Sequence, residues 1–377
     1  MIAFQRKIVL DNFTHLKKKE ILKNKIILRG KTMLLTDEWR KECIKNIITL
    51  CNIPSPTGYT HQICDYLMNF LKEKGFEPYQ TNKGSVIVEL GGEGNPLVLA
   101  AHIDTLGAMI RSIKSNGRIK YTNIGGYPAN NIENETCKIH TRNGKTYEGT
   151  FYLNCPAVHV YKDIGSIKRD EETIEVILDE NAESPQEIEE LGIEVGDFIS
   201  IDPRIKYSDS GYLKSRHLDD KASAGILMTI ADYIKQRNAN LNRKVYLLFT
   251  NYEEVGHGGS SGIPSDTKEM ISVDMGCVGA DLTANEKKVS ICAKDSGGPY
   301  DYNVTTNLVE LAKKLLLPYA LDIYPFYGSD VEATLRAGYD IKHALLGPGV
   351  FASHGYERTH IDGLSATMKL LIAYLIQ

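Results

Sequence analysis

The sequence predicts an α/β domain that is interrupted by an inserted all-β domain. With 377 residues, the chain is longer than one ordinary compact core, so two domains are expected. Apolar residues recur with helical and strand spacing in alternation near both ends of the chain. The middle, over residues 108–211, instead has short alternating stretches separated by turn pairs such as Asn116-Gly117 and Asn143-Gly144.

The first α/β part has a helical spacing of apolar residues over 39–48 and 63–71, and Gly75 ends the second of these predicted helices. Two strands are predicted over 85–90 and 97–101. The second is an uninterrupted apolar run, which is typical of a strand buried on both faces.

The inserted part contains one predicted helix, over 184–191, which Ser184-Pro185 opens. The α/β pattern then returns with a strong helix over 222–234 and a buried strand over 245–250. The remaining predicted elements are strands over 271–273 and 341–346 and helices over 308–316 and 366–375.

The N-terminal segment, residues 1–33, is rich in lysine and has only short apolar stretches. We expect a disordered extension or an upstream start; a basic transit peptide is the alternative, against which Asp11 and Glu20 argue. No apolar stretch resembles a secretory signal, and the 7 cysteines are scattered without a CxxC pair. A cytoplasmic location is therefore expected.

Composition excludes some classes of partner. The formal net charge is -4, which provides neither the basic field that nucleic acid requires nor a polybasic membrane anchor. No apolar run approaches the roughly 18 residues of a membrane span. We expect neither nucleic acid nor a membrane as a partner.

The candidate functional residues share one position, because each lies where a predicted element ends or begins. They are His102 and Asp104 after strand 97–101, Asp219 and Asp220 before helix 222–234, Glu253 and Glu254 after strand 245–250, Asp274 after strand 271–273, and His360 after the last strand. Ligands of open α/β sheets bind beyond the carboxyl ends of the strands, so these side chains are expected to converge.

Imidazoles combined with carboxylates suit zinc, cobalt or manganese. Two such ions need a shared ligand, which a carboxylate provides, and a further free carboxylate can carry a proton. Taken singly, each residue has a plain structural interpretation: His102 as a hydrogen-bonded polar residue, Asp219-Asp220 as a helix cap, and Glu253-Glu254 as a solvated turn. Their joint arrangement favours the metal site.

Five short segments also occur in the order found in a known family. They are Ala101-His102-Ile103-Asp104, Leu218-Asp219-Asp220-Lys221, Glu253-Glu254-Val255-Gly256, Val273-Asp274 and Gly328-Ser329-Asp330. From about Leu34 to the C-terminus, the chain resembles the glutamyl and deblocking aminopeptidases, also called tetrahedral aminopeptidases, some of which were once named endoglucanases. The resemblance implies a three-layer α/β/α metallopeptidase domain with a mixed sheet over 34–107 and 212–377. It also implies an inserted, small β-barrel-like oligomerisation domain over 108–211.

The resemblance implies a role for each matching residue, with two divalent ions per subunit. His102 would bind one metal, and Asp104 behind it would fix the tautomer of its ring. Asp219 would bridge both ions, and its peptide bond to Asp220 would be cis. Glu253 would be the general base and acid. Glu254 would bind one metal, Asp274 the other, and His360 would complete the set. Zinc is the expected ion, with cobalt or manganese as alternatives.

Two histidines depart from the family pattern or compete with it. His354 is a rival of His360 for the last metal position, because the loop after the last motif, residues 353–360, is shorter than usual. His257 either contacts substrate or is a loop residue, and we favour the loop. The chain's ending resembles a subgroup associated with small dipeptide-like osmolytes, so a general peptide and a dedicated small amide are both open as substrates.

The sequence thus predicts a metal-dependent aminopeptidase that acts on short peptides and forms a homo-oligomer, with a dodecamer as the family's form. The alternative is a specialised two-metal amidase, deacetylase or dipeptidase. A glycosidase fits poorly, because it requires two carboxyls on opposite sides of a sugar bond, whereas Glu253 and Glu254 are adjacent. A non-catalytic shell protein would lack ligands, but none of the expected positions is missing.

Overall fold

The computed structural model describes residues 25–28 and 31–376. The prediction that residues 1–33 are disordered lies mostly outside the described residues, since residues 1–24 and 29–30 are not described. The described part of that extension is a hairpin, in which β1 (Lys25–Leu28) pairs antiparallel with β2 (Lys31–Leu34).

A mixed sheet forms the middle layer of the α/β domain. Its order is β12-β13-β20-β19-β15-β5-β14-β4-β3, with β16 and β17 pairing β19, and β18 pairing β17. The strands are β3 (Tyr79–Gln80), β4 (Val86–Gly91), β5 (Leu97–His102), β12 (Lys206–Tyr207), β13 (Tyr212–Ser215), β14 (Val245–Thr250), β15 (Glu269–Val273), β16 (Gly276–Val278), β17 (Val289–Lys294), β18 (Tyr319–Ile323), β19 (Lys342–Phe351) and β20 (Glu357–His360).

The central strands are parallel and buried on both faces. β14 and β15 both pair in parallel with β5, and Thr250 lies opposite His102 in the register. Every residue of β5 is buried, as its uninterrupted apolar run predicts. Because the strands run in one direction, the residues that follow them meet at one edge of the sheet.

Helices cover both faces of the sheet, which confirms the predicted three-layer class. The α/β domain contains α1 (Asp37–Cys51), α2 (His61–Glu73), α4 (Leu218–Arg237), α5 (Tyr302–Lys314), α6 (Asp330–Arg336) and α7 (Ile361–Ile376). Leu97 and Leu99 of β5 join a large core with α1, α2, α4, α5 and α7, whereas Val98 joins a smaller core that includes Val331 of α6. No helix in the described ranges is long and apolar enough to cross a membrane.

The inserted domain is a closed six-stranded barrel with its own core, as predicted. Its order is β10-β7-β6-β11-β8-β9, and α3 (Pro185–Glu190) lies beside it. The strands are β6 (Gly107–Ile113), β7 (Ile119–Ile124), β8 (Thr136–His140), β9 (Thr146–Leu153), β10 (Ile174–Leu178) and β11 (Phe198–Ile201). The predicted insert extended to residue 211, whereas β12 at residues 206–207 already pairs with β13 in the main sheet.

Candidate metal centre

Four segments place the predicted residues at one edge of the sheet. His102 is the last residue of β5, and the turn after β14 carries Glu253 and Glu254. Asp274 directly follows β15, and Asp219 lies in the first turn of α4. The peptide bond between Asp219 and Asp220 is cis, as the family resemblance implied.

His102 presents one ring nitrogen to the carboxylates. Its Nδ1 lies 2.9 Å from the backbone oxygen of Asp104, and a carbonyl only accepts, so Nδ1 is the donor. Its Nε2 then faces Asp219 Oδ1 at 3.1 Å and Glu253 Oε2 at 3.8 Å. The tautomer is therefore the one that leaves Nε2 available to a cation.

The carboxylate of Asp104 has a different task from the predicted one. Its Oδ1 is 3.7 Å from His102 Nδ1, beyond hydrogen-bonding distance. It accepts instead from the Thr57 hydroxyl at 2.6 Å and from the backbone N–H groups of Glu253 and Glu254 at 3.3 and 3.4 Å. The backbone carbonyl of Asp104 thus orients His102, and the carboxylate of Asp104 holds the Glu253-Glu254 turn through hydrogen bonds.

Within the described part of the chain, two groups of three side chains have donor atoms within 4.8 Å of one another. One group is His102, Asp220 and Asp274; the other is His102, Asp219 and Glu254. Both oxygens of Asp220 and Oε1 of Glu254 are buried without a hydrogen-bond partner. Asp220, to which the sequence analysis gave no ligand role, therefore faces the same cluster.

The carboxyl groups of the cluster oppose one another electrostatically. Burial, together with the charge of Asp219, raises the pKa of Glu254 to about 8. The same two causes raise the pKa of Asp274 to about 7. Burial alone would also raise the pKa of Asp219. Hydrogen bonds from His102 and His354 outweigh burial and keep the pKa of Asp219 below its usual value. Crowded, buried oxygen and imidazole donors with unpartnered atoms fit divalent cations.

The two candidate histidines near the C-terminus differ in what surrounds them. His360 Nε2 lies 2.9 Å from the Ser210 carbonyl, and its Nδ1 accepts from the Asp362 backbone N–H at 3.0 Å. Both of its ring nitrogens are thus used within the protein, and the structure does not bring it to the cluster. His354 Nε2, in contrast, lies 3.5 Å from Asp219 Oδ2 and 3.6 Å from Glu254 Oε2.

Two further predicted residues lie around the cluster. The ring of His257 stacks on Tyr252 at 5.1 Å between centroids, and its carbonyl accepts from Lys83. Asp330 of the Gly328-Ser329-Asp330 segment accepts from the Thr250 hydroxyl, while its Oδ1 has no partner. His257 is therefore packed in its own loop, whereas Asp330 faces the site.

The cluster lines a cavity of about 530 Å³. Asp219, Glu253, Glu254, Asp274 and His354 are on its walls, together with Tyr327, Phe326 and Arg336. A separate cavity of about 440 Å³ lies between the barrel and the α/β domain, and none of the cluster's side chains lines it. The first cavity has room for a peptide end beside the carboxylates.

Comparison with known proteins identifies the family of the chain. Residues 84–370 match the family described as M42 glutamyl aminopeptidase. The chain is 46% identical over 336 residues to a Bacillus subtilis protein named "Putative aminopeptidase YhfE", covering 89% of this chain and 96% of that protein.

Solved structures show the same fold. Aminopeptidase APDkam598 of Desulfurococcus kamchatkensis has a TM-score of 0.80 at 20% identity, covering 90% of this chain and 95% of that one. The TET1 peptidase of Pyrococcus horikoshii, which can assemble into a tetrahedron or a large octahedral shell, has a TM-score of 0.79 at 22% identity, covering 89% and 99%. With the family match over most of its length, the chain belongs to the M42 glutamyl aminopeptidase family and is a hydrolase that acts on peptides.

Proposed function

We propose that this protein is a metal-dependent aminopeptidase that removes N-terminal residues from short peptides with two divalent ions. The observation that carries this proposal is the convergence of the buried His102, the partly exposed His354 and the carboxylates. The buried Oε1 of Glu254 has no hydrogen-bond partner, which is costly unless a cation satisfies it.

The two ions would share Asp219, because its two oxygens face different histidines. Oδ1 lies 3.1 Å from His102 Nε2, and Oδ2 lies 3.5 Å from His354 Nε2. His102 and Asp274 would complete one site, and Glu254 and His354 the other. In this assignment His354 takes the place predicted for His360. Zinc suits the nitrogen and oxygen donors, with cobalt or manganese as alternatives.

Bound divalent ions supply a water of lowered pKa and polarise the carbonyl of the scissile bond. Glu253 would take the proton of that attacking water and pass it to the leaving amine nitrogen. Burial raises the pKa of Glu253 well above its usual value, and the neighbouring charges of Asp274 and Asp330 add to this effect, although His102 opposes it. A carboxyl group that readily holds a proton suits this task. Asp104 would keep Glu253 in place through the backbone N–H of Glu253.

We propose a homo-oligomer as the working form. The similar TET1 peptidase assembles into closed shells, and the barrel that the chain shares with it is the expected contact domain. Light scattering of the purified protein checks this. A mass near twelve times 42.0 kDa is expected, and a monomer at micromolar concentration would contradict it.

The experiment that tests the function uses metal-stripped protein re-supplied with zinc, cobalt or manganese. The substrates are aminoacyl chromogenic amides and their N-acetylated counterparts, which differ only in the free amine. Metal-restored cleavage confined to free-amine substrates is the expected result. Cleavage only of blocked or dipeptide-like amides would move the function to a specialised two-metal amidase, and full activity of the stripped protein would overturn the metal dependence.

A further inference from the structure

Glu357 is a buried carboxyl group that contacts two parts of the candidate metal centre. It is the first residue of β20, where it lies opposite Ser215 of β13, and its exposed fraction is 0%. Its Oε2 accepts a hydrogen bond from the Asp219 backbone N–H at 3.0 Å, and its Oε1 accepts one from the His354 backbone N–H at 3.0 Å. One side chain therefore holds the main chain of two proposed metal ligands.

These two ligands come from segments that are far apart in the sequence. Asp219 begins α4, whereas His354 lies in the loop between β19 and β20. Their facing atoms, Asp219 Oδ2 and His354 Nε2, are 3.5 Å apart. A shift of either backbone would change this separation, on which shared binding of an ion depends.

The loop that carries His354 needs external support. Ala352 has φ of 59° and His354 has φ of 61°, in the left-handed region that residues with a side chain rarely adopt. Such a conformation persists where the surroundings hold it. The barrel holds His354 from one side, through Asn131 Nδ2 donating to its carbonyl at 2.9 Å, and Glu357 holds its N–H from the other.

A carboxyl group at this position has both a cost and a gain. Removing it from water costs free energy, but its oxygens satisfy two backbone N–H groups that an apolar side chain would leave unpaired. Each of these two hydrogen bonds joins Glu357 to the backbone of a proposed metal ligand. Residues behind the ligands commonly set their geometry and so the affinity for the ion.

We propose that Glu357 is a positioning residue, which fixes the backbones of Asp219 and His354 relative to each other and so sets the affinity of this site for its divalent ion. This inference rests on the metal centre of the proposed function. It concerns binding of the ion and not the chemical step, because Glu357 reaches the centre only through backbone N–H groups.

The experiment compares metal retention in four full-length chains: the wild type, Glu357→Gln, Glu357→Asp and the control Glu286→Gln. Glutamine has the same shape, but its NH₂ group cannot accept from a backbone N–H, so one hydrogen bond is lost. Aspartate keeps the charge but is one methylene too short to reach both amides. Glu286 is a matched carboxylate that pairs with Arg358 away from the site.

Each zinc-loaded chain is dialysed against graded chelator, and the zinc per chain is counted by elemental analysis. We expect both Glu357 variants to bind zinc about 10- to 100-fold more weakly than the wild type, and the control to match the wild type. Excess zinc should restore most of kcat in Glu357→Gln, since the chemical groups are intact. Circular dichroism and the Tm of the metal-free chains report any loss of folding separately.

Unchanged zinc affinity in the folded Glu357 variants would overturn the inference, whatever their Tm. If neither variant folds, hydrogen exchange of the metal-free wild type decides, because rapid exchange of the Asp219 and His354 amides would show that Glu357 does not hold them. A wild type that binds no zinc would overturn both this inference and the proposed function. Tight zinc binding without aminopeptidase activity would overturn the function alone.

Discussion

At the residue scale, adjacent side chains of the site have different neighbours. Glu253 and Glu254 are neighbours in the chain, yet Oε2 of Glu253 faces His102 at 3.8 Å, whereas Oε2 of Glu254 faces His354 at 3.6 Å. Because the two carboxylates face different histidines, one can bind an ion while the other stays free for a proton. This division leads to a different prediction for each of the two glutamates.

Glu253→Gln should keep both ions and lose most activity, because glutamine preserves the shape but cannot take a proton. A fall of kcat by about 10²- to 10⁴-fold is expected. The check is zinc content together with kcat, with Glu254→Gln as the matched neighbour, which should lose zinc. Turnover near the wild-type rate in Glu253→Gln would remove Glu253 from its proposed role.

Substitution of the two late histidines should separate a ligand from a structural residue. His354→Ala should lower the zinc content, because its Nε2 is the nitrogen that faces Asp219 and Glu254. His360→Ala should keep its zinc and lose about 1 kcal/mol of stability for each hydrogen bond, to Ser210 and from Asp362. Metal analysis and thermal unfolding measure both effects, and the reverse pattern would restore His360 as the ligand.

At the element scale, helix α4 positions the metal centre because it packs closely on α1. Asp219 lies in its first turn, and Gly225 lies six residues further along the helix, against Ile47 of α1. A Cβ on Gly225 would be 2.5 Å from Ile47 Cγ1 and 3.1 Å from the Ile47 backbone nitrogen. Glycine at this position allows the two helices to approach, although it is a poor helix former.

Gly225→Ala should therefore destabilise the protein, although alanine favours a helix by about 1 kcal/mol. The overpacking is expected to outweigh that gain and to lower the free energy of unfolding by about 1–2 kcal/mol. Denaturant unfolding of the substitution in the wild-type and Ile47→Ala backgrounds forms a double-mutant cycle. The cost should shrink when Ile47 is truncated; an equal cost in both backgrounds would place its cause elsewhere.

At the scale of the whole molecule, an aromatic contact joins the barrel to the α/β domain. His140 of the barrel stacks on Tyr59 of the α/β domain at 4.6 Å between centroids, and its Nε2 lies 2.8 Å from Ser200 Oγ. Burial lowers the pKa of His140 to about 4, and the nearby charges of Lys138 and His61 act in the same direction. His140 is thus neutral in the folded protein at neutral pH.

This histidine should make the molecule sensitive to acid. Between pH 6.5 and about 4, the unfolded chain binds a proton at this residue and the folded chain does not, so the stability falls as the pH falls. His140→Gln should flatten this dependence by on the order of 1–3 kcal/mol over that window. Denaturant unfolding between pH 4 and 7 measures it, and identical pH profiles of the wild type and variant would contradict the assignment.

The amino-acid order alone was sufficient for the α/β class, the inserted all-β domain and the edge of the sheet where the polar residues meet, whereas the three layers and the barrel were implied by the family resemblance. The first three of these features can be predicted because they depend on local sequence. Uninterrupted apolar runs such as 97–101 identify buried parallel strands, and His102 comes directly after this run. The tertiary structure was needed to distinguish His354 from His360, to assign the contacts of the Asp104 carboxylate and to reveal the bridge through Glu357. These depend on which nitrogen or oxygen a distant group already occupies: Ser210 contacts His360 across 150 residues of chain, and Gly126 contacts His354 across 228. Hydrogen bonds between residues so far apart leave no spacing in the sequence from which they could be read.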